Sequence, residues 1–143
     1  MIHFAMRMLR GLTLGACGLV IDDRGRVLLI EQTYTHGWQL PGGGVERGET
    51  AEAALARELV EEAGVRLTGP VRLLSVHSNH ANHRGDHVLV YRCEHWEPCD
   101  ATSRGEIARI GWFPPDALPD GVMPGHRRRI EEAFGARAPD VLW

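Results

Sequence analysis

Three glutamates with helical spacing are the residues of this sequence best suited to chemistry. Glu58, Glu61 and Glu62 stand at positions i, i+3 and i+4 of a stretch rich in good helix formers, which places their carboxylates on one helical face. Three like charges so close together repel, so such a face is either solvated or holds a cation. The other faces of this helix are largely apolar, which confines the acidic stripe. Clustered carboxylates beside a core favour a Mg²⁺ or Mn²⁺ site.

A glycine-rich loop leads into the helix that must position these glutamates. Pro41 is followed by the glycines 42–44, which cannot sustain regular structure. Thr50 is a good N-cap, so the helix is predicted to begin near Ala51. It is predicted to end at Gly64, a residue suited to the left-handed conformation that often follows a helix. A loop, a capped helix and an acidic cluster are therefore expected in direct succession.

The same stretch resembles the Nudix box, G-x5-E-x7-R-E-U-x-E-E-x-G-U, where U is a bulky aliphatic residue. Every defined position is filled, by Gly43, Glu49, Arg57, Glu58, Leu59, Glu61, Glu62, Gly64 and Val65. Segments on both sides of the box also look like those that enter and leave it in that family, so the resemblance covers about residues 12–135. It implies a single Nudix domain over residues 1–143, with an α/β/α sandwich around a mixed β-sheet.

The activity implied by the resemblance is metal-dependent hydrolysis of the diphosphate bond in a nucleoside diphosphate linked to another group X. ADP-ribose is the first substrate expected, while a nucleoside triphosphate, a dinucleoside polyphosphate or a nucleotide sugar would use the same box. The alternative is a non-catalytic Nudix-fold sensor that binds a nucleotide and regulates a partner. Such sensors usually lose box glutamates, so the complete box favours an enzyme, a Nudix pyrophosphohydrolase.

The resemblance also assigns roles to individual residues. The expected metal ligands are the carboxylates of Glu58, Glu61 and Glu62 and a backbone carbonyl of Gly42 or Gly43, with Mg²⁺ as the metal and Mn²⁺ as its substitute. Glu58 or Glu61 is expected to orient or deprotonate the attacking water, and Glu106 is a second candidate for the general base. Glu49 and Arg57 are expected to form a structural pair that holds the loop against the helix.

Two other loops are candidates for contacts with the substrate. Tyr34, in the loop 32–37, has a ring that could stack on a base, although an ordinary loop aromatic is the alternative. The loop 77–87 is unusually rich in histidine. His80 and His83 are expected to contact the substrate there, the alternative being a polar hairpin loop without a functional role.

Strands in two groups around a central helix, with another helix at the end, predict an α/β sandwich with a mixed sheet independently of the box. Strands are predicted at residues 12–21, 26–31, 71–76, 87–93 and 106–113, and a terminal helix at 124–134, while residues 1–10 are predicted to be an edge strand or packing tail. The first two strands are predicted to form a hairpin around the turn 22–25. On the terminal helix, His126, Ile130 and Phe134 are predicted to face the core, and the arginines 127–129 to be solvated.

Composition excludes several classes of partner. The net charge is −3 over 143 residues and no basic run dominates, so duplex nucleic acid is not an expected ligand. No window reaches the roughly 18 apolar residues of a membrane span. Three cysteines imply no disulfide framework, so a cytoplasmic setting is expected. A homodimer is compatible with the sequence.

Overall fold

The strands form two groups around a central helix, and a second helix follows the last strand, as the sequence patterns predict. The structure, a computed structural model, describes residues 3, 5, 6, 10–103 and 105–143. The predicted edge strand or packing tail at residues 1–10 falls largely outside the described residues. The strands are β1 Thr13–Val20, β2 Val27–Gln32, β3 Gly42–Gly44, β4 Val65–Leu67, β5 Arg72–Ser78, β6 Asp86–Cys93, β7 Trp96–Pro98 and β8 Ile107–Phe113. The helices are α1 Ala51–Glu58, which continues as a π-helical turn over Leu59–Ala63, and α2 Pro124–Ala133.

A four-stranded mixed sheet lies at the centre of the fold, in the order β3-β1-β6-β5. Strand β1 pairs in parallel with β6 and antiparallel with β3, while β5 pairs antiparallel with β6. Strands β2 and β8 form a separate antiparallel pair, as do β4 and β7. This arrangement confirms the predicted α/β sandwich with a mixed sheet.

Strand β1 supplies side chains to both faces of the sheet. Cys17, Leu19 and Ile21 belong to one buried cluster, which also contains Ile130 of α2. The alternate residues Ala16 and Val20 belong to a second buried cluster with Leu55 and Leu59 of the α1 segment. Successive side chains of a strand point to opposite faces, so the continuous burial from Ala16 to Val20 means that this part of β1 is covered on both sides. The two helices therefore flank the sheet.

The predicted hairpin between β1 and β2 is wrong beyond its turn. Asp22 builds the turn, because its Oδ1 accepts hydrogen bonds from the backbone N–H groups of Arg24 and Arg26 at 3.0 and 2.8 Å. The strands then share only the bridge between Ile21 and Val27. Strand β2 pairs with β8 instead, and both ladders bury apolar side chains, so the local pattern could not distinguish them.

Helix α2 departs from its predicted faces at two positions. Phe134, predicted to face the core, is 37% exposed, whereas Arg129, predicted to be solvated, is 2% exposed. Arg129 tolerates burial because it pairs with Glu132 at 2.6 Å and donates to the carbonyl of Leu142 at 2.8 Å. The segment 140–143 covers this side of the helix. The periodicity of the helix could not predict this contact, because it depends on residues outside the helix.

His126 of α2 links the helix to the segment before the glycine-rich loop. Its Nδ1 accepts a hydrogen bond from the N–H of Leu40 at 3.1 Å. Burial lowers the pKa of His126 to about 4, with a smaller lowering from Arg129. The imidazole is therefore neutral in the folded protein at neutral pH.

A pH dependence of stability follows from His126. Its pKa in the folded state lies below the unfolded value, so its contribution to stability is present above about pH 6.5 and is lost as the pH falls toward 4. We expect a loss of roughly 3 kcal/mol in the free energy of unfolding over that range. His126→Asn keeps an acceptor for the N–H of Leu40 but does not titrate. Its free energy of unfolding, measured by chemical denaturation, should therefore change less with pH than that of wild type. Parallel profiles for the two proteins would contradict this role.

None of the helices in the described part of the chain is long and apolar enough to cross a membrane.

Candidate active site

The helix that carries the three glutamates widens at its C-terminal end. Thr50 caps its start by accepting a hydrogen bond from the N–H of Ala53 at 3.0 Å, as predicted. The last turn is π-helical, and Gly64, at φ 63°, donates its N–H to the carbonyl of Leu59. In this wider turn Glu62 is buried, while the side chain of Glu61 is 40% exposed. The two neighbouring carboxylates therefore have very different surroundings.

Glu62 ties the helix to the glycine-rich loop and to β2. Its Oε1 accepts a hydrogen bond from the N–H of Gly42 at 2.9 Å, and its Oε2 accepts one from Nε2 of Gln32 at 3.1 Å. Burial raises the pKa of Glu62 to about 7, and the charges of Glu58 and Glu106 act in the same direction. Sequence reasoning missed Gln32, because a glutamine at the end of a strand carries no signal of such a distant partner.

Glu58 packs directly against the backbone of the same loop. A Cβ atom at Gly43 would lie 2.5 Å from Oε1 of Glu58, so only a glycine leaves room for this carboxylate. Burial raises the pKa of Glu58, although a hydrogen bond from Arg57 at 2.8 Å opposes that shift. The hydrogen bond from Arg57 therefore compensates only part of the cost of burying the Glu58 carboxylate beside the loop.

Arg57 connects the loop to the helix, the contact expected of it and Glu49. Its Nη2 and Nε donate to the two carboxylate oxygens of Glu49 at 2.6 and 3.3 Å, and Nη2 also donates to the carbonyl of Gly44 at 3.2 Å. The hydrogen bond from Arg57 lowers the pKa of Glu49. Arg57 also lies 3.7 Å from Glu61, so it partly screens the repulsion among the carboxylates.

Glu106 and Tyr34 lie beside the three glutamates. The backbone carbonyl of Glu106 accepts the N–H of Thr33 at 2.8 Å, and its Oε2 accepts the hydroxyl of Ser103 at 2.6 Å. Partial burial and the nearby charges of Glu62, Glu106 and Glu58 raise the pKa of Tyr34, whose side chain is otherwise 70% exposed. The fold thus brings two loops to the acidic cluster.

A cleft of about 960 Å³ opens on the other side of the glycine-rich loop. Its walls come from β1, the glycines 42–44, the β5–β6 loop and the start of α2, with Trp143. His83 lines this cleft, whereas Nδ1 of His80 accepts the N–H of Gly85 at 2.9 Å inside the loop. The box glutamates and Tyr34 do not line the cleft. Gly42 and Gly43 are shared, since they contact the glutamates and also form the cleft wall.

Comparison with known proteins agrees with this geometry. Residues 11–133 match the family model described as the NUDIX domain. The chain belongs to the Nudix family. A MutT-like protein of Streptomyces ambofaciens is 32% identical over 129 residues, covering 90% of this chain and 81% of the relative. A Bacillus subtilis protein, provisionally named an 8-oxo-dGTP diphosphatase, is 30% identical over 130 residues, covering 90% and 84%. The crystal structure of a MutT NUDIX hydrolase from Burkholderia pseudomallei has a TM-score of 0.72 at 30% identity and covers 83% of this chain and 95% of that one.

Nudix hydrolases generally use a divalent metal, and the donor groups of this site fit one. Among the residues that the structure describes, no three His, Cys, Asp or Glu side chains converge closely enough to hold an ion as they stand. Arg57 contacts Glu58 and Glu61, while Gly42 and Gln32 hold Glu62. The available donors are nevertheless all oxygens, and the partners that hold the two carboxylate oxygens of Glu62, the N–H of Gly42 and the amide of Gln32, are uncharged. A hard divalent cation suits that combination.

The contact between Gly43 and Glu58 gives a prediction for this Nudix hydrolase. Gly43→Ala should displace the Glu58 carboxylate and lower kcat/KM by about tenfold to a hundredfold, the range seen when supports of metal ligands are lost. Gly44→Ala is the matched control, because a Cβ atom there meets nothing within 4 Å. Steady-state kinetics on both variants, with melting curves to verify folding, measure the difference. Equal activities would show that this contact does not position Glu58.

Proposed function

We propose that this Nudix hydrolase cleaves the bond between the α- and β-phosphates of a nucleoside triphosphate, releasing a nucleoside monophosphate and pyrophosphate. The observation that carries the proposal is the glycine-rich loop shared by a half-buried acidic cluster and a cleft of about 960 Å³. A cleft of that size accommodates a nucleotide, while its phosphates would reach the glutamates across the loop. The relatives favour a nucleoside triphosphate over ADP-ribose, because one is named a diphosphatase of 8-oxo-dGTP.

The proposed metal is Mg²⁺, with Mn²⁺ able to replace it. Glu58, Glu61 and Glu62 would hold it, together with a backbone carbonyl of Gly42 or Gly43. When bound, such a cation neutralises phosphate charge and lowers the pKa of a coordinated water.

Glu61 is the proposed general base. Its carboxylate is the most exposed of the three, whereas Glu58 packs against Gly43 and both oxygens of Glu62 accept hydrogen bonds. Glu61 would accept the proton of the attacking water as the new oxygen–phosphorus bond forms and the bond to the leaving pyrophosphate breaks. Glu106 is the second candidate for this role, and its hydrogen bond with Ser103 keeps its side chain oriented beside the cluster.

A substrate panel with Mg²⁺ tests the proposal. The panel contains the common nucleoside triphosphates, 8-oxo-dGTP, ADP-ribose, a dinucleoside polyphosphate and a nucleotide sugar. We expect the highest kcat/KM with a nucleoside triphosphate, and pyrophosphate as the product. A clear preference for ADP-ribose or a nucleotide sugar would contradict the proposed substrate while leaving the diphosphate chemistry in place. Nucleotide binding without turnover of any member would instead favour the non-catalytic sensor.

A further inference from the structure

The segment 140–143 is docked on the body of the domain by its backbone. The carbonyl of Val141 accepts the N–H of Ser78 at 2.8 Å, and the N–H of Trp143 donates to the carbonyl of Ser78 at 3.0 Å. Asp140 accepts the N–H of Leu142 at 3.0 Å through its side chain. The segment therefore extends the edge of β5 and has a defined conformation.

A buried arginine of α2 fixes the end of this segment. Arg129 donates to the carbonyl of Leu142 at 2.8 Å and to Glu132 at 2.6 Å, and its guanidinium carbon lies 5.3 Å from the centre of the Trp143 ring. Its Nε has no hydrogen-bond partner among the described residues. The hydrogen bond to Leu142 and the contact with the ring hold Trp143 against α2.

The indole of Trp143 lies over the N-terminal turn of α2. A Cβ atom at Gly125 would be 2.3 Å from Nε1 of Trp143, so the ring occupies the space that a side chain would need. The His126 ring stands nearly perpendicular to it, with centroids 4.9 Å apart. Trp143 lines the same cleft as Gly42 and Gly43.

We propose that Trp143 is a nucleotide-binding residue whose indole stacks on the base of the nucleotide. The inference rests on the proposed function, which places the phosphates at the glycine-rich loop and leaves the base for the rest of the cleft. A rigid indole is well suited to this task, because every base has a π-face and stacking on an aromatic side chain is strong and tolerant of sequence. Asn82 and His83 of the β5–β6 loop, which also line the cleft, are available for the edges of the base.

The competing role of Trp143 is purely structural, since the ring also packs against the buried cluster that contains Ile130. The two roles differ in their ligand dependence. Loss of a stacking partner weakens the binding of nucleotides but not of pyrophosphate, which has no base. Loss of a structural support weakens the binding of both.

The experiment compares Trp143→Leu and Trp143→Phe with wild type. Trp96→Phe is the matched control, because Trp96 stacks on Trp112 and does not line the cleft. The probes are a non-hydrolysable methylene analogue of dGTP and pyrophosphate. For Trp143→Leu we expect the Kd of the analogue to rise about tenfold, with the inhibition constant of pyrophosphate and kcat changed less than about twofold. Trp143→Phe should retain most of the affinity but lose the quenching of tryptophan fluorescence by the analogue.

Gly125→Ala provides a second perturbation if Trp143→Leu does not fold. The added methyl group displaces the indole without removing it. The substitution should therefore weaken the binding of the analogue but not the binding of pyrophosphate. Unchanged affinity and quenching in folded Trp143 variants would overturn the inference while wild-type turnover of a nucleoside triphosphate leaves the proposed function standing. Equal losses for both probes would also overturn it, in favour of the structural role. A wild-type protein that neither binds nor hydrolyses any nucleotide would overturn both proposals.

Discussion

Glu61→Gln is expected to abolish most turnover while leaving the fold intact. The change preserves the size of the side chain but removes the charge with which Glu61 would accept a proton and hold a metal. Because its side chain is 40% exposed, the substitution creates no buried clash. The loss of a general base costs about a hundredfold to ten-thousandfold in rate, and kcat should fall within that range.

Glu52→Gln is the matched control for this experiment. Glu52 is exposed and lies in the first turn of the same helix. The substitution therefore removes the same charge from the helix without changing the acidic cluster. Its kcat should equal that of wild type. If Glu61→Gln retained near-normal rates in Mg²⁺, the catalytic assignment would pass to Glu106 or Glu58.

Glu62→Gln is expected to change how strongly the stability of the protein depends on metal. In chelator at about pH 8, wild-type Glu62 is ionised although burial and the Glu58 charge disfavour that state. The glutamine keeps an oxygen for the N–H of Gly42, its NH2 group can donate to the side-chain oxygen of Gln32 once that amide turns over, and the charge repulsion is removed. We therefore expect its Tm in chelator to equal or exceed that of wild type.

Addition of Mg²⁺ should then favour the wild type. A ligand that binds only the folded state stabilises it by about 2.7 kcal/mol at a concentration one hundred times its Kd, and the variant, lacking one ligand charge, should gain less. The two Tm values should converge or cross as Mg²⁺ is added. Glu52→Gln should follow the wild type throughout. A variant that is less stable in chelator and responds fully to Mg²⁺ would identify Glu62 as a structural residue only.

Features encoded by local pattern could be predicted from the sequence. Thr50 and Gly64 determine where the helical segment begins and ends through their own hydrogen-bonding and backbone properties. The continuous apolar run along β1 likewise predicts a buried strand. These features depend on residues close together in the chain, so they require no knowledge of the fold.

Contacts between distant residues could not be predicted in this way. Gln32 meets Glu62 across 30 residues, and Arg129 meets Leu142 across 13, with no periodicity that links either pair. The histidine-rich loop shows the same limit. His83 lines the cleft while His80 holds the loop together, a distinction set by the conformation of the loop and not by residue type.

The most direct test of a metal-dependent pyrophosphohydrolase is ³¹P NMR of a nucleoside triphosphate incubated with the wild-type protein, first with Mg²⁺ and then with excess chelator. We predict that pyrophosphate and the nucleoside monophosphate appear together in Mg²⁺ and that their formation stops in chelator. Release of orthophosphate with a nucleoside diphosphate, or an unchanged rate in chelator, would contradict the account.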